Sequence, residues 1–156
     1  MEANKKSEIL GSLKVLVVED SRSMSRVVVA YLESLGVNYI KEFEDAESAL
    51  EELRSRVDTE KHYNVVFLDW LLPGMDGLEL LKICRNDTRF KEMAIVMLTS
   101  KRQEKNVMET GAAGATYYIA KPFSPRDIAD GLDNILAWFE IYGTIIIKSD
   151  KENDSA

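Results

Sequence analysis

The chain has 156 residues, room for one domain with a real core and little beside it. Twenty basic against 27 acidic side chains leave a net charge of −7, which repels phosphate backbones and anionic headgroups and argues against direct nucleic-acid binding. No apolar stretch approaches the roughly 20 residues a bilayer crossing needs, and Met1 to Ser7 is polar rather than a charged-then-apolar signal, so no membrane insertion and a cytoplasmic location are expected.

Residues 1–12 read as an N-terminal extension. An apolar run, Lys14 to Val18, then stops at Glu19 and Asp20. Met24, Val27, Val28, Tyr31, Leu32 and Leu35 recur at helical spacing, and Gly36 closes that helix. Tyr39 to Phe43 alternates as a strand, and Asp45 is placed to cap a helix carrying Ala46, Ala49, Leu50, Leu53 and Val57. After the polar loop Asp58 to His62, the run Asn64 to Leu68 stops at Asp69. Two shorter helices are expected at Asp76 to Arg85, with Asp76 as cap and Glu79 at its third position, and at Arg102 to Thr110, stopped by Gly111. Between them Ala94 to Leu98 ends in Thr99-Ser100, and beyond them Thr116 to Ala120 ends at Lys121. The last helix opens on Ser124-Pro125-Arg126-Asp127 and runs through Ile128, Leu132, Ile135, Leu136 and Phe139. Serine at the cap, proline first and a carboxylate third suit the positive end of a helix. Cys84, the single cysteine, excludes an internal disulfide, and its place after Leu81 fits a small core residue.

Five repeats of strand then helix call for a parallel sheet covered on both faces, since each crossover carries a helix back over the sheet. Val15 to Val18, Val65 to Leu68 and Ile95 to Leu98 are unbroken apolar runs, as strands buried on both sides require. Their carboxyl ends would then share one crevice, where such sheets place their chemistry. Glu19, Asp20 and Asp69 gathered there repel one another unless a cation or a proton sits among them. All-oxygen ligands favour a hard ion, and magnesium keeps open positions for phosphate oxygens. Lys121 adds a positive charge and Thr99 a hydroxyl, both suited to phosphoryl oxygens, which leaves an aspartate as nucleophile.

These residues resemble the receiver domains of two-component response regulators, especially the single-domain chemotaxis-type receiver. The resemblance spans Leu13 to Phe139 and rests on Lys14 to Asp20, on Leu68-Asp69-Trp70 with Pro73-Gly74-Met75-Asp76-Gly77, on Leu98-Thr99-Ser100 and on Lys121-Pro122-Phe123. It implies an α/β fold: a doubly wound, flavodoxin-like, five-stranded parallel sheet in the order 2-1-3-4-5 with five helices, the chemotaxis receiver being a standard example of that order. It implies that Asp69 accepts a phosphoryl group from a sensor histidine kinase or a histidine phosphotransfer protein, and that the chain is a signalling protein assisting its own phosphotransfer and dephosphorylation rather than an enzyme. Asp20, Asp69 and the main-chain carbonyl of Trp70 would ligate Mg2+, with Mn2+ an acceptable substitute, and Glu19 would act through a coordinated water. Lys121 would pair with phosphoryl oxygens across a cis Lys121-Pro122 bond. Thr99 would swing to meet them, and Tyr118 matches the aromatic switch that follows the threonine.

Glu19 stands where an aspartate is more frequent, which lengthens the arm and keeps a metal site. Leu71 and Lys101 occupy the positions that tune how water reaches the acyl phosphate, so its lifetime stays open. His62, the one histidine, lies in a polar loop and gives no support to a kinase or phosphotransfer role. Ser21, Ser23 and Ser25 could serve a flavodoxin's phosphate loop, but the acidic pair before them is electrostatically wrong for it. A receiver-like scaffold without signalling is the other alternative. The domain is thus set at 13–139, and residues 140–156 at a C-terminal extension without an output domain, so that output passes by contact with a downstream protein target. Within it Ile141, Tyr142 and Ile145 to Ile147 form a β-prone apolar run that would pack on the domain, on a second copy in a homodimer or on the target, and Lys148 to Ala156 is a charged tail.

Overall fold

The structure, a computed structural model, describes residues 2–100 and 113–142. Five parallel strands form one sheet: β1 (Lys14–Val18), β2 (Tyr39–Phe43), β3 (Val65–Asp69), β4 (Ala94–Ser100) and β5 (Tyr117–Lys121). Their order is β2-β1-β3-β4-β5, as the resemblance implied. Five α-helices are described: α1 (Ala3–Ser12), α2 (Arg22–Ser34), α3 (Ala46–Arg56), α4 (Gly77–Asn86) and α5 (Pro125–Tyr142). The helix expected at Arg102 to Thr110 lies outside the described residues.

Alternation along the strands divides the core into two layers. Val15, Val17, Val65, Phe67, Val96 and Leu98 meet α2 and α5 on one face. Leu16, Val18, Val66, Leu68, Ile95 and Met97 meet α3 and α4 on the other. Burial on both faces explains why these strands read as unbroken apolar runs. Asn64 aligns their starts: its side-chain oxygen accepts the Lys14 amide at 2.8 Å, and its backbone bonds Lys14 and Ala94 at 2.9 Å each.

Local chemistry sets the helix starts. Asp45 accepts the Ser48 amide at 2.7 Å, and Asp76 that of Glu79 at 2.8 Å. Ser124 and Asp127 exchange reciprocal bonds at 3.2 and 2.8 Å, the capping box read from the sequence. Cys84 is buried and its thiol is pushed up to about 12 by burial, which leaves it inert.

Three departures have physical causes. Residues 3–12 form α1, whose Ile9 and Leu10 are buried in the α2/α5 layer while Lys6 bridges Asp133 of α5 at 2.6 Å. Strand β4 runs past Leu98 to Ser100 because Thr99 and Ser100 continue the ladder against Ala120 and Lys121. Helix α5 continues to Tyr142, with Trp138 and Tyr142 one turn apart and their rings 5.2 Å apart, so Ile141 and Tyr142 end a helix instead of opening a β-prone segment. Both are exposed, and residues 143–156 lie outside the described part of the chain.

Candidate functional site

Parallel pairing brings the carboxyl ends of β1, β3, β4 and β5 to one edge, and each ends beside a polar side chain. Glu19 follows β1 directly and is 2% exposed; its amide bonds the Phe43 carbonyl of β2 at 3.0 Å. Asp20 is exposed, Asp69 is buried at the end of β3, and Thr99 is buried within β4. Oxygen atoms of Glu19, Asp20 and Asp69 all lie within 4.8 Å of one another. Across from them the Lys121 ammonium sits 3.0 Å from Glu19 Oε2 and 3.2 Å from Asp69 Oδ2. The Lys121-Pro122 peptide is cis.

The charges do not balance within the site. Burial pushes the Glu19 carboxyl up to about 7; the Lys121 bond opposes that rise and the neighbouring Asp69 charge adds to it. Burial alone would lower the Lys121 ammonium, but the bond to Glu19 and the charge of Asp69 outweigh it and hold lysine above its usual value. Surplus negative charge on oxygen donors, two of them buried, fits a hard divalent cation.

The loop from Trp70 to Asp76 frames the site. The Trp70 amide donates to the Leu98 carbonyl at 3.2 Å, and the Trp70 carbonyl accepts the Gly77 amide at 2.8 Å, which occupies one of its lone pairs. A Cβ on Gly77 would collide with the Asp69 carbonyl, so only glycine lets α4 begin against the end of β3. Trp70 and Leu72 are buried, whereas Leu71 is 63% exposed. Beside Glu19 a groove of about 380 Å³ opens, lined by Arg22, Ser25, Arg26, Glu42 and Glu44, with Arg22 paired to Glu44 at 3.2 Å and Arg26 to Glu42 at 3.5 Å.

Thr99 and Tyr118 are connected through the sheet. In the β4–β5 ladder Met97 pairs with Tyr118 and Thr99 with Ala120, so all four lie on the α3/α4 face. The half-buried Tyr118 ring packs against that layer, and its hydroxyl is buried with no hydrogen-bond partner among the described residues. Lys101 lies outside the described residues, and the loop histidine, His62, is half-buried with its pKa lowered by burial.

Glu19, Asp20, Asp69, Thr99 and Lys121 are therefore brought together at this edge, while Tyr118 lies one pair earlier on the Thr99 face. The sequence did not disclose the double contact of Lys121, nor a carboxylate from α3: Glu47 Oε1 accepts the Met75 amide at 2.7 Å, a pairing 28 residues apart with no local signature.

The comparisons with known proteins agree with this geometry. A profile of the response regulator receiver domain matches residues 15–133. The chemotaxis protein CheY1 of Helicobacter pylori is 38% identical over 124 residues, covering 80% of this chain and 97% of that protein. The chemotaxis protein CheY-3 of Vibrio cholerae is 34% identical over 124 residues, covering 80% and 92%. The high-resolution structure of the chemotaxis response regulator CheY4 of Vibrio cholerae superposes with a TM-score of 0.70 at 29% identity, covering 79% of this chain and 98% of that one. The chain belongs to the response regulator receiver family, and in sequence and fold it is similar to chemotaxis receivers.

Proposed function

We propose that this receiver takes a phosphoryl group onto Asp69 from a sensor histidine kinase or a histidine phosphotransfer protein, with Mg2+ held by Asp20 and Asp69, and thereby switches a protein-binding face. The observation that carries this is the pairing of an acidic triad within 4.8 Å with an ammonium bridging Glu19 and Asp69. A bound divalent ion supplies charge neutralisation between an anionic donor and an anionic acceptor. An Asp69 oxygen attacks phosphorus, the phosphorus–nitrogen bond of the phosphohistidine breaks, and the imidazole leaves to take a proton from water. Lys121 transfers its contact from Asp69 to the phosphoryl oxygens, and Glu19 acts through water. The main-chain carbonyl of Trp70, with one lone pair left beside its Gly77 bond, would complete the metal's ligands.

Thr99 then bonds the phosphoryl group, and Tyr118, on the same face of the sheet, follows it. The receiver is taken as 13–139, with α1 docked against its α2/α5 layer and 140–156 as a C-terminal extension. The likeness to relatives named chemotaxis proteins supports a signalling role; output is by contact with a downstream protein in the cytoplasm, and among the described residues no helix is long and apolar enough to cross a membrane. With Mg2+ and a small phosphodonor, intact mass should rise by one phosphoryl group, and borohydride should trap an acyl phosphate. Asp69→Asn should gain nothing, and full labelling of that variant would reject the assignment.

A further inference from the structure

We infer that Glu47, at the start of α3, is a positioning residue for phosphoryl acceptance: it clamps the loop after Asp69 at the spacing that metal and phosphoryl binding need. This rests on the phosphoacceptor reading above. Seven residues, Trp70 to Asp76, separate the acceptor from α4, and most of what fixes them lies at the two ends. At the front are the burial of Trp70 and its amide bond to Leu98; at the back, the Asp76 cap and the Gly77 bond to Trp70. The middle, Pro73-Gly74-Met75, is held from outside by Glu47 Oε1, which accepts the Met75 amide at 2.7 Å.

The fit is tight on both sides. Gly74 adopts φ +74°, and a Cβ there would stand 2.6 Å from the same Glu47 oxygen. Glycine favours that backbone conformation, and a side chain at position 74 would push the Glu47 carboxylate away from the Met75 amide. Glu47 also joins the two halves of the site. Its helix follows β2, whose Phe43 carbonyl holds the Glu19 amide, and the loop it grips leaves Asp69. Direct pairing of β1 with β3 sets the distance from Glu19 to Asp69; what the clamp fixes is where the loop after Asp69, with its main-chain carbonyls, stands beside that acidic pair.

The full chain is compared with Glu47→Gln, which keeps an acceptor oxygen, and Glu47→Ala, which does not. Mg2+ binding is followed by tryptophan fluorescence, Trp70 being next to Asp69, and phosphorylation by intact mass. Glu47→Ala should raise the Mg2+ midpoint about fivefold to tenfold, the scale of one lost charge-assisted hydrogen bond. Its phosphorylation should be slow at low Mg2+ and return to within about twofold of wild type at saturation, and Glu47→Gln should lie close to wild type at both. Exchange of the Met75 amide should accelerate in Glu47→Ala alone. A Glu47→Ala midpoint within about twofold of wild type, or a defect equal in Glu47→Gln, overturns the clamp while leaving the acceptor reading intact. A defect that saturating Mg2+ leaves unchanged, together with a lowered urea midpoint, assigns Glu47 a structural role and overturns it as well. A wild type that neither responds to Mg2+ nor gains a phosphoryl group rejects the acceptor reading, and the inference falls with it.

Discussion

Replacing Lys121 by methionine tests the charge balance of the site. The ammonium lies 3.0 Å from Glu19 and 3.2 Å from Asp69, both side chains being nearly buried. At an effective dielectric near 20, each contact is worth about 5 kcal/mol in gross Coulomb attraction. Desolvation of the three groups cancels most of that, and removing one partner of a buried pair typically costs about 3–5 kcal/mol. Glu19, already pushed up to about 7, relieves part of the loss by holding a proton. A net destabilisation of about 2–3 kcal/mol follows, or about 4–12 °C in Tm for a domain of this size. Magnesium should reverse the effect, since a cation binding the folded state at about 100 times its Kd returns roughly 2.7 kcal/mol. Thermal unfolding of wild type and Lys121→Met with chelator and with excess Mg2+ measures both quantities. Metal affinity should be kept or raised, because the variant's pocket is more negative, while phosphorylation or the response to it should fail. An unchanged Tm in chelator, or a loss of Mg2+ affinity of about tenfold or more, would refute the view of Lys121 as the cation offsetting two acids.

Leu10→Ala should destabilise by about 2–4 kcal/mol with an unchanged urea slope, because the side chain is buried beneath α2 and α5; a loss below about 0.5 kcal/mol would mean that α1 is not docked in solution. Tyr118→Phe removes a buried hydroxyl that has no partner among the described residues. Its urea midpoint should hold or correspond to a gain of up to about 1 kcal/mol, and a clear loss would show that the hydroxyl is bonded. His62 has a pKa lowered by burial, against the opposing charges of Asp58 and Glu92. The unfolded chain then binds the proton more readily, so this residue's contribution to stability should fade as pH drops through the ordinary histidine range. Urea midpoints of wild type and His62→Gln should converge or cross on acidification; a gap that widens in favour of wild type would reverse the sign.

What the sequence discloses follows the range of the interactions responsible. Strands β1, β3 and β4 were legible because burial on both faces demands apolar residues at every position. The caps at Asp45, Asp76 and Ser124 were legible because cap and amide are three residues apart. Helix α1 was not: it offers Ile9 and Leu10 among polar neighbours, and what makes them core is contact with a layer drawn from α2, the sheet and α5. The same distinction divides the site. Acids and lysine at strand ends announced themselves once the strands were taken as parallel neighbours. Glu47 did not, since its value depends on the path of a loop 28 residues further on.

The geometry also explains how one modification could reach a distant face without a large rearrangement of the sheet. Lys121 already shares itself between two carboxylates, so new oxygens on Asp69 can claim it by a side-chain shift, with β5 undisturbed. Thr99 is different. It is buried within β4, pairs with Ala120, and has Met97 and Tyr118 as the preceding pair on the same face. In the proposed reading a hydroxyl drawn toward a phosphoryl group vacates space on that face, where the half-buried Tyr118 also lies, its own hydroxyl held by no bond among the described residues. In the proposed reading, a ring held by packing and by no hydrogen bond among the described residues can take two positions, and the volume Thr99 leaves decides between them.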